Sequence, residues 1–415
     1  MRQWVSQAFH LSALFESDAT LALVKSAATQ APRESRVPGI DIIRGLCIIA
    51  VVMHHINLRI RFNQSALGHT IGPAANRALF WSGYYGVIVF FVISGFLITG
   101  WSLRRWASLN KIDLRQFYAM RFARIVPCLA ALLLLLAVAD WLRIPNFIIN
   151  TQHTSLGRAL LAAATFHVNW LEAHTGYLPA GWDVLWSLSV EEVFYLGFPL
   201  LCTLLRKQVA VCAVLVSFIV IGPFARVMTH NQLWADYGYL SCMDGIAFGC
   251  LAAIICSKVN LSPRSNLALR LAGMALCLLI IVFRGTAARI GFYKIGLDVT
   301  VLEIATALLL IAMQQRFENG LSVSRWWSAP PRWFGRNSYE VYLTHMLVVW
   351  PMVMLFFHFR FSINTAAFWF LGMTGLSGLA GYAVSRFYSE PLNLTLRFKL
   401  TPQKTEVHSL QAASS

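Results

Sequence analysis

The sequence predicts an all-α, polytopic membrane helix bundle of about ten transmembrane helices with both termini cytoplasmic. Three observations carry this. Of 415 residues, 57% are hydrophobic and only 13% are charged, against about 25% charged in a soluble globular chain. The mean hydropathy is +0.60. The apolar residues also fall into runs of membrane-spanning length rather than spreading through the chain.

Taken in order, the runs are 40–58, 79–101, 119–141, 184–205, 209–228, 239–257, 266–283, 296–315, 338–358 and 366–388. A weaker run near 157–171 carries Arg158, His167, Asn169 and Glu172 and reads as a re-entrant or interfacial helix. Residues 1–39 lack a sustained apolar core with a small-residue cleavage site, so they read as a cytoplasmic extension, with a short amphipathic helix near Phe9–Val24. Residues 40–391 form the membrane domain and 392–415 a cytoplasmic tail. With the N-terminus inside, 23 Lys and Arg fall on inside segments and 10 on outside loops. That asymmetry favours cytoplasmic termini. A full span at 157–171 would reverse every later loop and place the Arg206–Lys207 turn outside.

The net charge of +16 follows from the same bias. No basic stripe lies on a soluble domain, so nucleic-acid binding is excluded. The eight cysteines lie in or beside apolar segments with no CxxC pair, and read as small buried hydrophobes. No HExxH or similar ligand spacing appears, so no metal is indicated. A GxSxG nucleophile elbow is also absent. The sequence sets no oligomeric state.

Chemistry-bearing residues concentrate in a few spans. In the first, Arg44 and His55 are eleven residues apart, almost three helical turns, and share one face about 16 Å apart along the axis. Polar groups at such positions are costly in a membrane. Arg suits a phosphate and neutral His suits a proton, so the pair suggests a site that grips an anionic donor and does base chemistry. The bland alternative is a snorkelling Arg and an interfacial His. Asp41 lies three residues before Arg44 and could orient its guanidinium. His54 points about 80° from the Arg44 face and is the weaker candidate.

The loop after the second span is the most basic, with Arg104, Arg105, Lys111 and Arg115, followed by Arg121 and Arg124. The first three read as an ordinary inside loop touching anionic lipid. Arg121 and Arg124 share a helix face before Pro127 and could hold the phosphates of a nucleotide-like donor. In the second span, Ser94-Gly95 would let a backbone or a thin ligand arm approach closely. Helix four carries adjacent acids, Glu191 and Glu192. Glu191 shares its face with Ser187 and Tyr195, and the expected depth matches His55, whose tautomer it could hold. In the ninth span Ser338, Tyr342 and His345 form one polar stripe. Asp244 and Glu303 are further intramembrane acids.

In order, these segments resemble the motifs of the acyltransferase-3 family of integral-membrane acyltransferases, which includes bacterial O-acetyltransferases of glycans. The matching residues are Asp41, Arg44-Gly45 and His55; Phe90–Ile98; Tyr118, Arg121, Arg124 and Pro127; Trp186–Tyr195; Asp244-Gly245 and Gly249; Ser338-Tyr339, Tyr342-Leu343 and His345; and Glu390-Pro391. Val193 departs from the pattern, since many relatives carry a polar residue there. The resemblance implies a ten-helix fold and acyl-CoA as donor; the reading built on it is a bacterial inner-membrane enzyme with acetyl-CoA as the expected acyl-donor substrate. It gives His55 the catalytic role, Arg44 a supporting one, and Arg121 and Arg124 a place in the donor site. The chain is expected to group with members that lack a C-terminal hydrolase-like domain. The expected reaction is O-acetylation of an envelope or secreted glycan or glycolipid. Donor phosphates would lie on Arg44, Arg121 and Arg124, and His55 would act as base, oriented by Glu191. Ser94 would line the donor path, and Asp41, Glu192, Asp244, Tyr342 and His345 would support the site or the acceptor. The rival readings are a transporter or flippase for a lipid-linked glycan, and an acyltransferase acting on a small molecule.

Overall fold

The computed structural model describes residues 36–321 and 325–400. The expected Phe9–Val24 helix lies outside them. Among the described residues, ten helical stretches are long and apolar enough to cross a membrane, as the hydrophobic runs predict.

The elements follow in chain order. Helix α1 is Pro38–Asn57, α2 Ala66–Phe80, α3 Gly83–Trp106 and α4 Leu114–Trp141. Pro38 opens α1, where its missing N–H costs no bond. Ser65 caps α2 by accepting from the Gly68 amide, and Asp113 caps α4 by accepting from the Gln116 amide. Gly72, at φ 78°, breaks α2 just before Pro73. Then come α5 Leu156–Ala164, α6 Val168–Thr175, α7 Leu185–Leu205, α8 Gln208–Met228, α9 Gln232–Tyr237, α10 Tyr239–Cys256, α11 Pro263–Ile281 and α12 Arg284–Arg289. The chain continues through α13 Leu297–Glu318, α14 Ala329–Arg336, α15 Ser338–His358, α16 Ala366–Val384 and α17 Glu390–Leu400.

The weak 157–171 run is two short helices, α5 and α6, parted at Phe166, which takes a left-handed φ of 59°. They dock on the bundle through polar bonds: the Val168 amide donates to Ser189 Oγ at 3.1 Å, and Asn169 Nδ2 to the Tyr237 carbonyl at 3.0 Å. The last span continues past Pro391. A π-helical turn at Ser385–Ser389 joins α16 to α17, so residues 392–400 of the expected tail are helical.

Helices α3 and α10 form the centre, each with 72% of its apolar window buried inside the protein. Small residues let them meet backbone to backbone. A Cβ on Gly95 would collide with the Ile246 carbonyl, and one on Gly249 with the Val92 carbonyl. Gly95 therefore serves helix packing rather than a ligand arm. Helices α8 and α11 are the least buried spans and present their apolar sides outward. Six of the eight cysteines are buried and two half-buried, all unbonded.

Candidate active site

Two contacts fix how α1 sits on α15. Arg44 Nη2 donates to Ser338 Oγ at 2.8 Å, and His55 Nδ1 lies 3.3 Å from His345 Nε2. Residue numbers rise together in both pairs, so the helices run in the same sense. The steps along them are about 16 Å and about 10 Å, a difference within the reach of an arginine side chain.

Between α1, α3, α4, α7 and α15 lies a cavity of about 180 Å³. Its polar wall includes Arg44, Ser94, Arg121, Arg124, Glu191 and Glu192, and Ser187, Tyr195, Ser338 and Tyr342 complete it. The three arginines differ. Arg124 pairs with the fully buried Glu340 at 3.2 Å, and Ser389 Oγ donates to the same carboxyl oxygen at 2.8 Å. Arg121 stacks 3.8 Å over the Tyr195 ring. Arg44 has the neutral Ser338 as partner. Among the described residues neither Arg44 nor Arg121 is in an ion pair, so both guanidiniums keep charge to offer an anion. The middle of α4 around Pro127 is tied to its neighbours: Tyr339, also on the cavity wall, donates to the Ile125 carbonyl at 3.0 Å, and Tyr388 to the Pro127 carbonyl at 3.2 Å.

The histidines stand beyond the cavity, linked to it by Tyr342. That residue donates to the Val184 carbonyl at 2.9 Å and shares a 2.6 Å bond with Ser187. Its ring lies 6.0 Å from that of His345. His55 Nδ1 is 2.9 Å from the Val51 carbonyl. A carbonyl only accepts, so His55 carries its proton on Nδ1. His345 Nδ1 likewise faces the Tyr342 carbonyl at 2.7 Å. His54 turns away to Trp81, with ring centroids 5.7 Å apart.

The geometry corrects two expected pairings and one expected placement. Glu191 does not reach His55. Its carboxyl accepts from Tyr195 at 2.6 Å and from Ser94, because its helix face turns to the cavity and α3. Asp41 does not orient Arg44 but lies 3.5 Å from Arg336, since α14 packs directly on α1. Asp244 is not at the cavity. It is buried against Arg226 at 2.8 Å, and Arg226 also donates to Thr300 Oγ1 at 2.7 Å. Glu340 and Arg226 were not singled out from sequence. Each was visible as a charge inside an apolar run, but its partner lies more than a hundred residues away or in another span. Among the described residues no group of three His, Cys, Asp or Glu is placed to hold a metal.

The sequence profile of the acyltransferase domain (acyltransferase 3) matches residues 37–384. The chain belongs to the acyltransferase-3 family. The peptidoglycan O-acetyltransferase OatA of Listeria monocytogenes is 27% identical over 337 residues, covering 75% of this chain and 49% of that protein. A putative peptidoglycan O-acetyltransferase, YrhL of Bacillus subtilis, is 27% identical over 334 residues, covering 75% and 48%. The O-acetyltransferase OatA of Staphylococcus aureus is 25% identical over 340 residues, covering 75% and 50%. The chain thus spans about half the length of these relatives. No solved structure matches it. The matched region holds every cavity residue named above, so the cavity and the histidine pair belong to the acyltransferase domain.

Proposed function

We propose that the chain is an O-acyltransferase of the bacterial inner membrane. It would move an acetyl group from acetyl-CoA to a hydroxyl of an envelope glycan or glycolipid. The observation that carries this is one helix, α1, with a phosphate-type ligand, Arg44, at one end and a base-ready imidazole, His55, at the other. Arg44 and Arg121 keep positive charge at the cavity, where charge-assisted bonds to phosphate are strong. The relatives' names supply the acceptor class, a glycan.

The chemistry follows from the proton positions. With Nδ1 protonated, His55 Nε2 holds a lone pair and takes the proton of the acceptor hydroxyl. That oxygen attacks the thioester carbonyl; the C–O bond forms and the C–S bond breaks. CoA leaves as a thiolate and recovers the proton from the imidazolium. A positioned base of this kind contributes about 10²–10⁴-fold, and holding both reactants supplies much of the rest. Glu191 belongs to the cavity wall in this reading, where it fixes Tyr195 under Arg121.

Mass spectrometry of base-labile acetyl esters on the envelope glycans tests the proposal. A deletion strain should lose a defined ester that the wild-type gene restores. His55→Ala should not restore it although the protein inserts normally, and His54→Ala should largely restore it. An unchanged ester profile on deletion would remove the glycan acceptor from the reading.

A further inference from the structure

We propose that His345 is a positioning residue for His55: its Nε2 is the second acceptor for the His55 Nδ1 proton and aims the bare Nε2 of His55 at the acceptor hydroxyl. This rests on the reading of His55 as base. The ring protons follow from the acceptors around them. Tyr342 offers only a carbonyl to His345 Nδ1, at 2.7 Å, and the Val341 carbonyl lies on the same nitrogen at 3.2 Å. His345 Nδ1 therefore carries the proton, and neutral His345 presents a lone pair at Nε2. His55 Nδ1 stands 3.3 Å from that lone pair. Two donors or two acceptors cannot share a hydrogen bond, so the His345 tautomer matches the His55 tautomer: one ring accepts at Nε2 what the other donates at Nδ1.

The Val51 carbonyl already keeps the proton on Nδ1, but it does not hold the ring against the rest of the site. It belongs to the same helix as His55, one turn back, and moves with it. His345 is fully buried and arrives from a helix 290 residues away. It sets the ring against a separate frame. When the acceptor proton forms its bond to His55 Nε2, the positive charge spreads over the ring and onto the Nδ1–H. His345 then receives a hydrogen bond from a cation, which is roughly twice as strong as one between neutral groups. No proton moves to His345; its lone pair bears on the charged state alone.

The contact is unlike the usual orienting carboxylate, because the partner is neutral and its own tautomer is dictated by backbone. A side chain that accepts at the position of Nε2 can replace it. Gln can, since its amide oxygen reaches about as far along the side chain as His Nε2. Leu fills the space without accepting.

The test uses the full chain in two measurements. The first is the envelope acetyl ester restored in a deletion strain. The second is ring ¹⁵N NMR of the histidine-labelled protein in nanodiscs, with the His55 signals assigned by their loss in His55→Ala. The expected result is a tenfold or greater loss of ester in His345→Leu, recovery of most of it in His345→Gln, and a His55 Nδ1–H signal that stays near the wild-type position in Gln but shifts away from it in Leu. Wild-type ester in His345→Leu would overturn the inference. So would Gln failing as badly as Leu while its His55 Nδ1–H signal stays at the wild-type position, which would mean that an acceptor at this place does not position the base. Full activity in His55→Ala would instead sink the base reading itself, whatever His345 does.

Discussion

Arg121 and Arg124 lie one turn apart on α4, yet their partners differ. Glu340, fully buried, depends on Arg124 for its counter-charge. Removing one member of such a pair costs about 3–5 kcal/mol. Arg124→Ala should therefore lower the thermal midpoint of the purified protein sharply, and adding Glu340→Gln should recover much of it. Arg121→Ala breaks no direct ion pair, since its guanidinium lies over the Tyr195 ring. It should fold and show a raised apparent KM for acetyl-CoA, with Lys a poor substitute for the planar fork. Equal thermal loss in both single variants would contradict this division.

Outside the membrane spans, burial and the neighbouring Asp183 push the Glu172 carboxyl well above its usual value of 4.5. The folded state thus keeps a proton that the unfolded chain releases. That stability is complete below about pH 4.5 and is lost as pH rises toward the folded value. Glu172 Oε1 accepts from the Leu178 amide at 3.0 Å, a bond that Gln preserves. Glu172→Gln should raise the melting midpoint at pH 8 and change it little at pH 4.5. A gap independent of pH would show that Glu172 folds as a carboxylate.

At the scale of elements, α14 seats closely on α1 and sets where α15 begins. Gly45 and Gly335 meet reciprocally: a Cβ on Gly45 would strike the Pro331 carbonyl, and one on Gly335 the Asp41 carbonyl. This close seat puts Ser338, three residues on, against Arg44. Gly335→Leu should force α14 off α1, costing stability by at least the usual 1–3 kcal/mol or so of overpacking and weakening acetyl-CoA binding. Gly197→Ala, where a Cβ meets nothing within 4 Å, should be tolerated. A normal melting curve for Gly335→Leu would mean that the contact yields freely.

Span number and order were legible in the sequence because a 20-residue apolar run has one outlet in a bilayer. The faces of single helices were legible too, since helical period alone puts Ser187, Glu191 and Tyr195 together. What stayed hidden is which faces meet. Glu191 pairs with Ser94 rather than His55, and Asp41 with Arg336 rather than Arg44. Such choices depend on crossing angles and on glycine seats like Gly45 and Gly335, and a lone helical wheel holds no record of them. His345 was visible as part of a stripe, but its contact with His55 needs α1 and α15 to run in the same sense.

For the whole molecule, the proposed route has a direction. Ser338 opens α15, Arg44 lies in the first half of α1, and Arg121 and Arg124 lie in the first half of α4, all helices that leave the cytoplasmic side in the charge-derived topology. His55 and His345 lie further along their helices. The donor is then expected from inside and the acceptor from outside. In sealed right-side-out vesicles, acetyl-CoA trapped in the lumen should support acylation, and acetyl-CoA added only outside should not, because CoA is too charged to cross lipid unaided. Efficient transfer from external donor would reverse the topology or move the donor site.

The two unpaired guanidiniums of the cavity have a kinetic consequence. Arg44 and Arg121 would hold phosphates, and those are the same whether the thiol at the far end is loaded or spent. Such a grip is blind to progress of the reaction. Free CoA should compete with acetyl-CoA at similar concentrations, so that the rate in the cell follows the ratio of the two rather than the donor level alone. Steady-state rates measured at fixed acetyl-CoA and rising CoA should fall as for a competitive inhibitor with a Ki near the donor KM. The enzyme would thereby slow its own modification of the envelope whenever the acetylated pool runs low.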